Sequence, residues 1–403
     1  YWSWHAPQRP ERARGGDTAT ATFALSLRPP GAPASRGLTD GIRAFVLRFS
    51  APIITGAAIT VLESGIDERL VHVTSTDPRS WVRVESLAGI RLPAVGAPRI
   101  LLLVHGAFDS TAGAFGPLTK GVGKDFLERA VADYDAVVGF DHRTLSVDPL
   151  ANARDLLARL SVRQVDGAVV DVVCHSRGGL VVRSLVERIL PASGWSGSVN
   201  RIVFVGVPNG GTNLAEPDRW SHLADVYTSL LMESSLLGDG FLTTAIAGSA
   251  IKGVGTLAKY LAAYVVDVHG VPGLAAMEPD GDFIVDLNRR QPGQPDGRQP
   301  WFVISSDFRA TASQMNLKIV EGIVDNMLDG ANDLVVDTKS MAAIDAPGTH
   351  VAGTLDFGTN SSVYHTNYFW KAEVAQAMRT WLFASAAGGL RPGAASDTEG
   401  RDS

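Results

Sequence analysis

One serine of this sequence lies where its hydroxyl could act as a nucleophile. Ser176 follows a run of β-branched residues in DVVCHSRGGLVVRSL and precedes a pattern typical of a helix. A sharp strand–serine–helix turn strains the serine backbone, and small neighbours reduce the crowding there. Gly178 and Gly179 supply small residues after the serine, and Cys174 stands where such turns usually have their first glycine. A hydroxyl is a weak nucleophile alone, so this turn predicts a histidine base and a carboxylate that orients it.

Histidines that follow Ser176 are the candidates for the base, because in this kind of turn the chain order is serine, acid, histidine. His365, in SSVYHTNYFW just before the predicted last helix, is our prediction, and His350 is the alternative. His222 and His269 fall in a long insertion and are predicted to be solvated or structural.

The acid has two candidates in this sequence. Asp307 ends the predicted strand WFVISSDF, and Asp333 lies in GANDLVVDTKSM. The end of a strand is a suitable position for either carboxylate, so the residues by themselves leave both open. Other aspartates nearby are predicted to lie in turns or at the surface.

Attack on a carbonyl also requires backbone N–H groups aimed at the oxygen that becomes negative. One is predicted at Arg177, directly after the serine, and the second in the loop LLLVHGAFDSTAGAF. There Gly106 permits a close approach of the backbone, and Ala107 is the predicted donor, with Phe108 as the alternative. His105 is expected to order this loop by hydrogen bonding.

Strands and helices alternate from Arg99 onward, and the strands are continuously apolar. This pattern predicts a mainly parallel sheet covered by helices on both faces. The predicted domain spans residues 99–384. The predicted strands are RILLLVHG, DAVVGFDH, AVVDVVCH, RIVFVGVP and WFVISSDF, and the predicted helices are GKDFLERAVADY, DPLANARDLLARL, GGLVVRSLVERIL and EVAQAMRTWLF.

The remaining segments differ in composition. Residues 18–93 contain short alternating β-type runs and predict a small all-β domain, with PAVGAP at 93–98 as a linker. Residues 1–17 are predicted to be flexible, and residues 385–403 to be disordered. The insertion at about 213–300 contains an apolar stripe at helical spacing, which predicts either a lid over the site or packing onto the core. The stripe consists of Leu223, Val226, Leu230, Leu231 and Met232.

Composition and charge exclude several classes of partner. The net charge is -6 and no long basic run occurs, which argues against nucleic acid. The single cysteine excludes an intrachain disulfide and a zinc cluster and fits a reducing compartment, so we expect a cytoplasmic protein. The most apolar stretch, 241–268, is interrupted by lysines and glycines, so no transmembrane segment is predicted. The chain begins at Tyr1, which is typical of a fragment or a processed form.

Taken together, these motifs resemble the α/β-hydrolase superfamily, and within it the bacterial lipases and lipase-like proteins. The resemblance spans residues 99–384. It rests on VHGAF (104–108), CHSRGGLVVRSL (174–185), VGVPNGGTNLA (205–215), NDLVVDTKSM (332–341) and YHTNYF (364–369). It implies Asp333 as the acid rather than Asp307, because such lipases carry the acid in an Asn-Asp-x-x-Val segment. It also implies His365 as the base and a lid formed by the insertion.

The resemblance implies a serine hydrolase that cleaves carboxylic esters through an acyl-enzyme, with an acyl ester or lipid as substrate and no cofactor. Alternatives are an amidase, a thioesterase or an acyltransferase with the same triad, or a non-catalytic scaffold of the same fold. Thr366, Asn367 and Tyr368 follow the histidine where related secreted lipases have a calcium-binding aspartate. No metal is therefore predicted. The β-rich domain has no predicted partner.

Overall fold

The structure is a computed structural model, and it describes most of the chain between residues 66 and 383. Side chains are described for Glu63 and for residues 66–93, 95–162, 167–234, 237, 254–255, 257, 271–289, 300–344 and 351–383. Backbone alone is described for residue 235 and for the strands 2–5, 11–12, 18–27 and 45–52. The predicted disordered tail, the alternative base His350 and His269 lie outside these residues, as does nearly all of the apolar stretch 241–268.

An eight-stranded sheet forms the centre of the molecule. Six of its strands run parallel, and the remaining two are antiparallel additions at one edge. The strands are β5 (Arg69–His72), β6 (Val82–Val84), β7 (Arg99–Val104), β8 (Ala136–Asp141), β9 (Val169–His175), β10 (Ser198–Val205), β11 (Trp301–Phe308) and β12 (Val351–Asn360). Their order across the sheet is β12-β11-β10-β9-β7-β8-β5-β6.

Apolar side chains pack on both faces of this sheet. In β7, Ile100, Leu102 and Val104 pack toward one layer of helices, whereas Leu101 and Leu103 pack toward the other. Because successive side chains of a strand point to opposite faces, a strand buried on both sides must be apolar throughout. The predicted parallel sheet between two helical layers is therefore confirmed.

Helices connect the strands and form the outer layers. Asp148 caps one of them, because its side chain accepts a hydrogen bond from the amide of Ala151, as the Asp-Pro signal predicts. The helices are Thr111–Phe115, Gly121–Asp133, Pro149–Leu160, Gly178–Arg183 (continued by a π-helical turn, Ser184–Ile189, and by Leu190–Ser193), Trp220–Ser235, Pro272–Ala275, Asp282–Leu287, Met315–Val324, Thr338–Met341 and Ala372–Phe383.

The structure corrects the predicted boundary at residue 93. Strands β5 and β6 lie before that boundary, yet β5 pairs antiparallel with β8 and β6 pairs with β5, so both belong to the large sheet. The segment 93–98 is thus a connection within one sheet and not a linker between domains. Both strands are short, and their local pattern does not reveal which sheet supplies their hydrogen-bond partners.

A separate four-stranded antiparallel sheet lies near the start of the chain. Its strands are β1 (Trp2–His5), β2 (Glu11–Arg12), β3 (Thr18–Leu27) and β4 (Phe45–Pro52), and β3 pairs with the other three. Strands β1 and β2 fall inside the predicted flexible segment 1–17, so that prediction is wrong for these residues. Pairing with β3 satisfies their backbone groups, which the polar sequence around them does not suggest.

Some elements of the large domain were not predicted, among them a strand and a helix of ten residues each. Strand β12 extends the sheet beyond β11, and none of its residues is fully buried, because it lies at the edge. Its sequence, VAGTLDFGTN, lacks the apolar run that marks the central strands. The helix Met315–Val324 was likewise not predicted. Among the described residues, no helix has the length and apolarity needed to cross a membrane.

Candidate active site

Ser176 lies at the sharp turn between β9 and the helix that starts at Gly178. Its φ is 52°, a left-handed backbone conformation that non-glycine residues rarely adopt, and its amide donates to the carbonyl of Val205. Cys174, in place of the usual glycine, is accommodated because its thiol is directed into the core, 3.5 Å from the Val203 carbonyl. This strained turn at the end of a central parallel strand has the geometry of a nucleophile elbow, and the α/β-hydrolase fold is confirmed.

The predicted small residues of the elbow are required by close contacts. A Cβ at Gly106 would lie 2.6 Å from the Cβ of Ser176, so only glycine brings this loop against the nucleophile. A Cβ at Gly178 would lie 2.5 Å from the carbonyl oxygen of Val104, and one at Gly179 would overlap the Val207 side chain. These three glycines therefore allow β7 and the loop after it to lie close to Ser176 and to the helix that starts at Gly178.

His365 lies between Ser176 and Asp333. Its Nε2 is 2.9 Å from Ser176 Oγ, and its Nδ1 is 2.8 Å from Asp333 Oδ2. The relative exposure of the serine is 1%, and that of the other two residues is 0%. Because Nδ1 must carry the proton that it donates to the carboxylate, Nε2 is left as the acceptor for the serine proton. The structure thus brings together the three residues that the sequence predicts as nucleophile, base and acid.

The Asp333 carboxylate accepts four hydrogen bonds. Oδ1 accepts from the amides of Val335 and Val336 at 3.1 and 2.9 Å, and Oδ2 accepts from His365 and from the hydroxyl of Tyr368 at 3.0 Å. A buried carboxylate is tolerated when its oxygens are satisfied in this way. Tyr368 is a contact that the sequence analysis did not identify, although it lies in the YHTNYF segment.

Asp307, the alternative acid, is engaged elsewhere. Its Oδ2 accepts from Thr359 at 2.7 Å, and its Oδ1 accepts from the amide of Asn332 at 3.3 Å and pairs with Arg309 at 3.1 Å. It therefore supports the loop that carries Asp333 and does not contact His365. Of the other histidines, His222 is exposed on the helix Trp220–Ser235.

The loop after β7 is fixed by a relay of hydrogen bonds. The Glu63 carboxylate accepts from the amides of residues 144–146, and Thr144 Oγ1 in turn accepts from the amide of Phe108 at 3.1 Å. The N–H of Phe108, whose φ is 62°, is therefore occupied by Thr144 and is not available beside the serine. Ala107 is left as the candidate oxyanion donor. Sequence reasoning missed Glu63, because it lies 81 residues before Thr144.

His105 orders the same loop, as the sequence analysis predicts. Its Nδ1 donates to the carbonyl of Gly106 at 2.8 Å, and its Nε2 accepts from the amide of His142 at 3.3 Å. Burial lowers the pKa of His105, so the ring is neutral and can accept at one nitrogen. The ring stacks on that of His142, with ring centroids 4.3 Å apart.

The Arg177 side chain is fully buried and connects three segments of the chain. Its Nε donates to the carbonyl of Gly273 at 3.0 Å, and its Nη2 donates to Asn152 Oδ1 at 3.0 Å and to the carbonyl of Val147. The guanidinium therefore holds the helix Pro272–Ala275 beside the elbow. Only the backbone amide of Arg177 is a candidate for contact with a substrate.

One protein family matches most of this chain. The family described as a domain of unknown function, DUF7379, matches residues 68–383. This range includes β5 and the three residues Ser176, Asp333 and His365. The chain belongs to the DUF7379 family. No curated protein matches it.

Solved structures similar to this DUF7379 member include several bacterial hydrolases. Lipase BlEst2 from Bacillus licheniformis is 17% identical, with a TM-score of 0.44, and the match covers 73% of this chain and 94% of that one. Lipase 1 from Pelosinus fermentans is 12% identical, with a TM-score of 0.45 and coverage of 70% and 99%. The esterase RhEst1 from Rhodococcus sp. is 17% identical, with a TM-score of 0.40 and coverage of 74% and 94%.

In this DUF7379 domain the helix Trp220–Ser235, here named the covering helix, lies over the serine. The hydroxyl oxygen of Tyr227, on this helix, is 3.2 Å from Ser176 Oγ and 3.0 Å from His365 Nε2. The tyrosine ring packs edge-on against Phe108 at 5.0 Å. Four residues of the predicted stripe are buried in the same apolar cluster: Leu223, Val226, Leu230 and Leu231. The fifth, Met232, is partly buried.

A cavity of about 20 Å³ adjoins His365 and Tyr227, between the loop after β7 and the His365 loop. This volume holds about one water molecule. His175 borders the cavity and donates from Nε2 to the carbonyl of His365 at 2.9 Å. Burial lowers the pKa of His175 to about 3, with a further contribution from His365, so this ring is neutral. Among the described residues, no cluster of three or more His, Cys, Asp and Glu could hold a metal ion.

Proposed function

We propose that this chain is a serine hydrolase that cleaves carboxylic esters. Ser176 is the nucleophile, His365 the base and acid, and Asp333 the residue that orients the imidazole. The observation that carries the proposal is the position of the His365 ring, whose two nitrogens lie 2.9 Å from Ser176 Oγ and 2.8 Å from Asp333 Oδ2. This geometry is what proton transfer from a serine requires.

In the acylation step, Ser176 Oγ attacks the ester carbonyl carbon while its proton passes to His365 Nε2. The carbonyl oxygen becomes negative and accepts hydrogen bonds from the amides of Ala107 and Arg177. Collapse of this intermediate breaks the bond to the alkoxy oxygen, which takes the proton from Nε2 and leaves as an alcohol. The product on the enzyme is an ester of Ser176.

In the deacylation step, a water molecule gives a proton to His365 Nε2 while its oxygen attacks the acyl carbon. The second tetrahedral intermediate collapses, the carboxylic acid leaves, and the proton returns to Ser176 Oγ. In both steps the imidazole becomes positively charged. Asp333 stabilises that charge at close range, and its other hydrogen bonds hold the carboxylate in place.

The surroundings of the serine favour acyl esters or lipids as substrates. Ser176 is covered by Tyr227 and by the apolar face of the covering helix, which includes Leu230 and Leu231. An ester can reach the nucleophile only when this helix is displaced, and the face that is then exposed is apolar. We therefore propose that the covering helix acts as a lid and that its apolar face contacts the acyl chain.

The experiment that tests this function is labelling with a fluorescent fluorophosphonate, which reacts with serines activated by a base. Wild type is compared with Ser176→Ala, in the absence and in the presence of a detergent that displaces apolar helices. Labelling of wild type alone supports the assignment, and equal labelling of both proteins contradicts it. Matched 4-nitrophenyl esters, thioesters and anilides of one acyl chain then identify the bond, and a higher kcat/KM for the thioester or anilide would replace the ester proposal.

A further inference from the structure

The cavity beside the catalytic residues contains one carboxyl group and several aromatic rings. Asp109, in the loop after β7, forms part of its wall. Tyr227, Tyr368, Phe369 and Trp370 are among its other lining residues. A carboxylate next to aromatic faces is the combination that binds ammonium groups, because both present negative potential to a cation.

The Asp109 carboxyl group has no basic partner in the described part of the chain. Its Oδ1 accepts from the amide of Ser110 at 2.8 Å, and no described lysine, arginine or histidine lies within 4.0 Å of it. Burial raises the pKa of Asp109 to about 7, and the nearby Asp141 carboxylate adds to this effect. A carboxyl group without a counter-charge destabilises the fold, and such groups concentrate at functional sites.

The position of the cavity assigns it to the leaving-group side of an ester. The departing alkoxy oxygen must reach His365 Nε2 to receive its proton. Tyr227 Oη is 3.0 Å from that atom, and both His365 and Tyr227 border the cavity. The alcohol portion of a bound ester therefore extends into this space. Displacement of the covering helix enlarges it, because Tyr227 and Leu231 form one wall.

Resting on the proposed ester hydrolysis, we propose that Asp109 forms a subsite for a cationic alcohol together with Tyr368, Phe369 and Trp370, the aromatic lining residues that are not part of the covering helix. The preferred substrates are then esters whose leaving group carries an ammonium group. Asp109 is a specificity-determining residue, since it contacts the alcohol portion and takes no part in proton transfer. No other residue of the chain is assigned to recognition of the leaving group.

The test compares two esters of nearly the same shape, butyrylcholine and 3,3-dimethylbutyl butyrate, which differ in the charge of the leaving group. For wild type at pH 8 we expect kcat/KM for the choline ester to be about tenfold higher. Asp109→Asn should reduce this ratio to about one. Asp125→Asn, which removes an exposed carboxylate from the helix Gly121–Asp133, is the matched control and should keep the wild-type ratio.

The pH dependence of the wild-type ratio tests the same proposal without a variant. The titratable groups at the cavity are Asp109, His175, His365, Tyr227 and Tyr368. His365 serves both esters in the same way, so its contribution cancels in the ratio of the two kcat/KM values. Burial lowers the pKa of His175 and raises those of the two tyrosines, so these groups stay neutral. The ratio should therefore fall between pH 8 and pH 6, as Asp109 gains its proton.

The outcomes separate this proposal from the proposed function. A ratio near one in wild type at pH 8, or a ratio that Asp109→Asn leaves unchanged, would overturn the role of Asp109 while ester hydrolysis stands. If folded wild type hydrolyses neither ester nor 4-nitrophenyl butyrate and is not labelled by the fluorophosphonate, the proposed function is overturned and the subsite with it.

Discussion

The hydroxyl of Tyr227 lies 3.0 Å from His365 Nε2, the same atom that contacts Ser176 Oγ. The hydroxyl is also 3.2 Å from the serine oxygen, so it occupies the place of a leaving alcohol or of an attacking water. Under the proposed function, a substrate enters only when this oxygen leaves, and the covering helix moves with it because the tyrosine ring is buried. On that proposal, the structure corresponds to a closed state of the site.

Replacement of Tyr227 by phenylalanine should make the serine more accessible to reagents. The variant loses the hydrogen bonds to Ser176 and His365 but keeps the ring contact with Phe108. Each such bond contributes about 0.5–1.5 kcal/mol to the closed state, so the loss of both, about 1–3 kcal/mol, predicts fluorophosphonate labelling about fivefold to 150-fold faster. The measurement is the labelling rate at a fixed reagent concentration.

Tyr134→Phe is the matched control for this variant. Its hydroxyl donates to Asp171 at 2.7 Å, at the opposite end of the sheet from the elbow. The control should label at the wild-type rate even if it unfolds at a lower temperature. Slower labelling of Tyr227→Phe than of both proteins would mean that the hydroxyl assists the nucleophile and does not block it.

Ser176→Ala should reduce ester turnover by about 10⁴- to 10⁶-fold, since it removes the oxygen on which the proposed acyl-enzyme forms. The fold should be retained, because alanine is smaller than serine and the strained turn is held by its neighbours. Turnover of 4-nitrophenyl butyrate, together with circular dichroism, provides the measurement. Activity within tenfold of wild type would show that another residue is the nucleophile.

Asp333→Asn and Asp307→Asn should have different effects. The first removes the charge that orients and stabilises the His365 imidazolium, and a loss of about 10⁴-fold in kcat is expected. The second weakens an ion pair with Arg309 and a contact with Thr359, so it should lower thermal stability and leave kcat within about threefold of wild type. The reverse order of the two kcat values would reassign the acid.

The stability of the protein should depend on pH through Asp109. Its pKa is about 7 in the folded protein against an ordinary value of 3.8, so between these values the folded state holds a proton that the unfolded chain has released. The free energy of unfolding therefore falls as pH rises from about 4 to 7. The asparagine of Asp109→Asn cannot ionise. The melting temperature of this variant should therefore rise relative to that of wild type between pH 5 and pH 8.

Thermal unfolding of both proteins at the two pH values measures this difference. Asp125→Asn again serves as the control, because its carboxylate is exposed on the helix Gly121–Asp133. A difference in melting temperature between wild type and Asp109→Asn that is the same at pH 5 and pH 8 would show that Asp109 titrates near its ordinary value in the folded state.

The local sequence was sufficient to predict the elbow and the central strands. Strands buried on both faces must be apolar throughout, and a glycine-flanked serine between such a strand and a helix has few other interpretations. The order of serine, acid and histidine along the chain follows from the fold itself. Ser176 and His365 could therefore be proposed from residue types, and the family resemblance favoured Asp333 over Asp307.

Contacts between distant segments could not be predicted in the same way. Glu63 accepts from the loop 144–146, and Tyr227 reaches Ser176 across 51 residues of sequence. Strands β5 and β6 join the large sheet, and β12 completes it, although their sequences carry no long apolar run. Hydrogen-bond partners and the pairing of edge strands depend on which segments meet in space. The local sequence of a short polar or half-exposed segment does not specify its partner, because the rest of the fold decides which segment lies beside it. The sequence by itself predicted the types and the order of the candidate catalytic residues, whereas the tertiary structure decided which carboxylate meets the histidine and which tyrosine covers the serine.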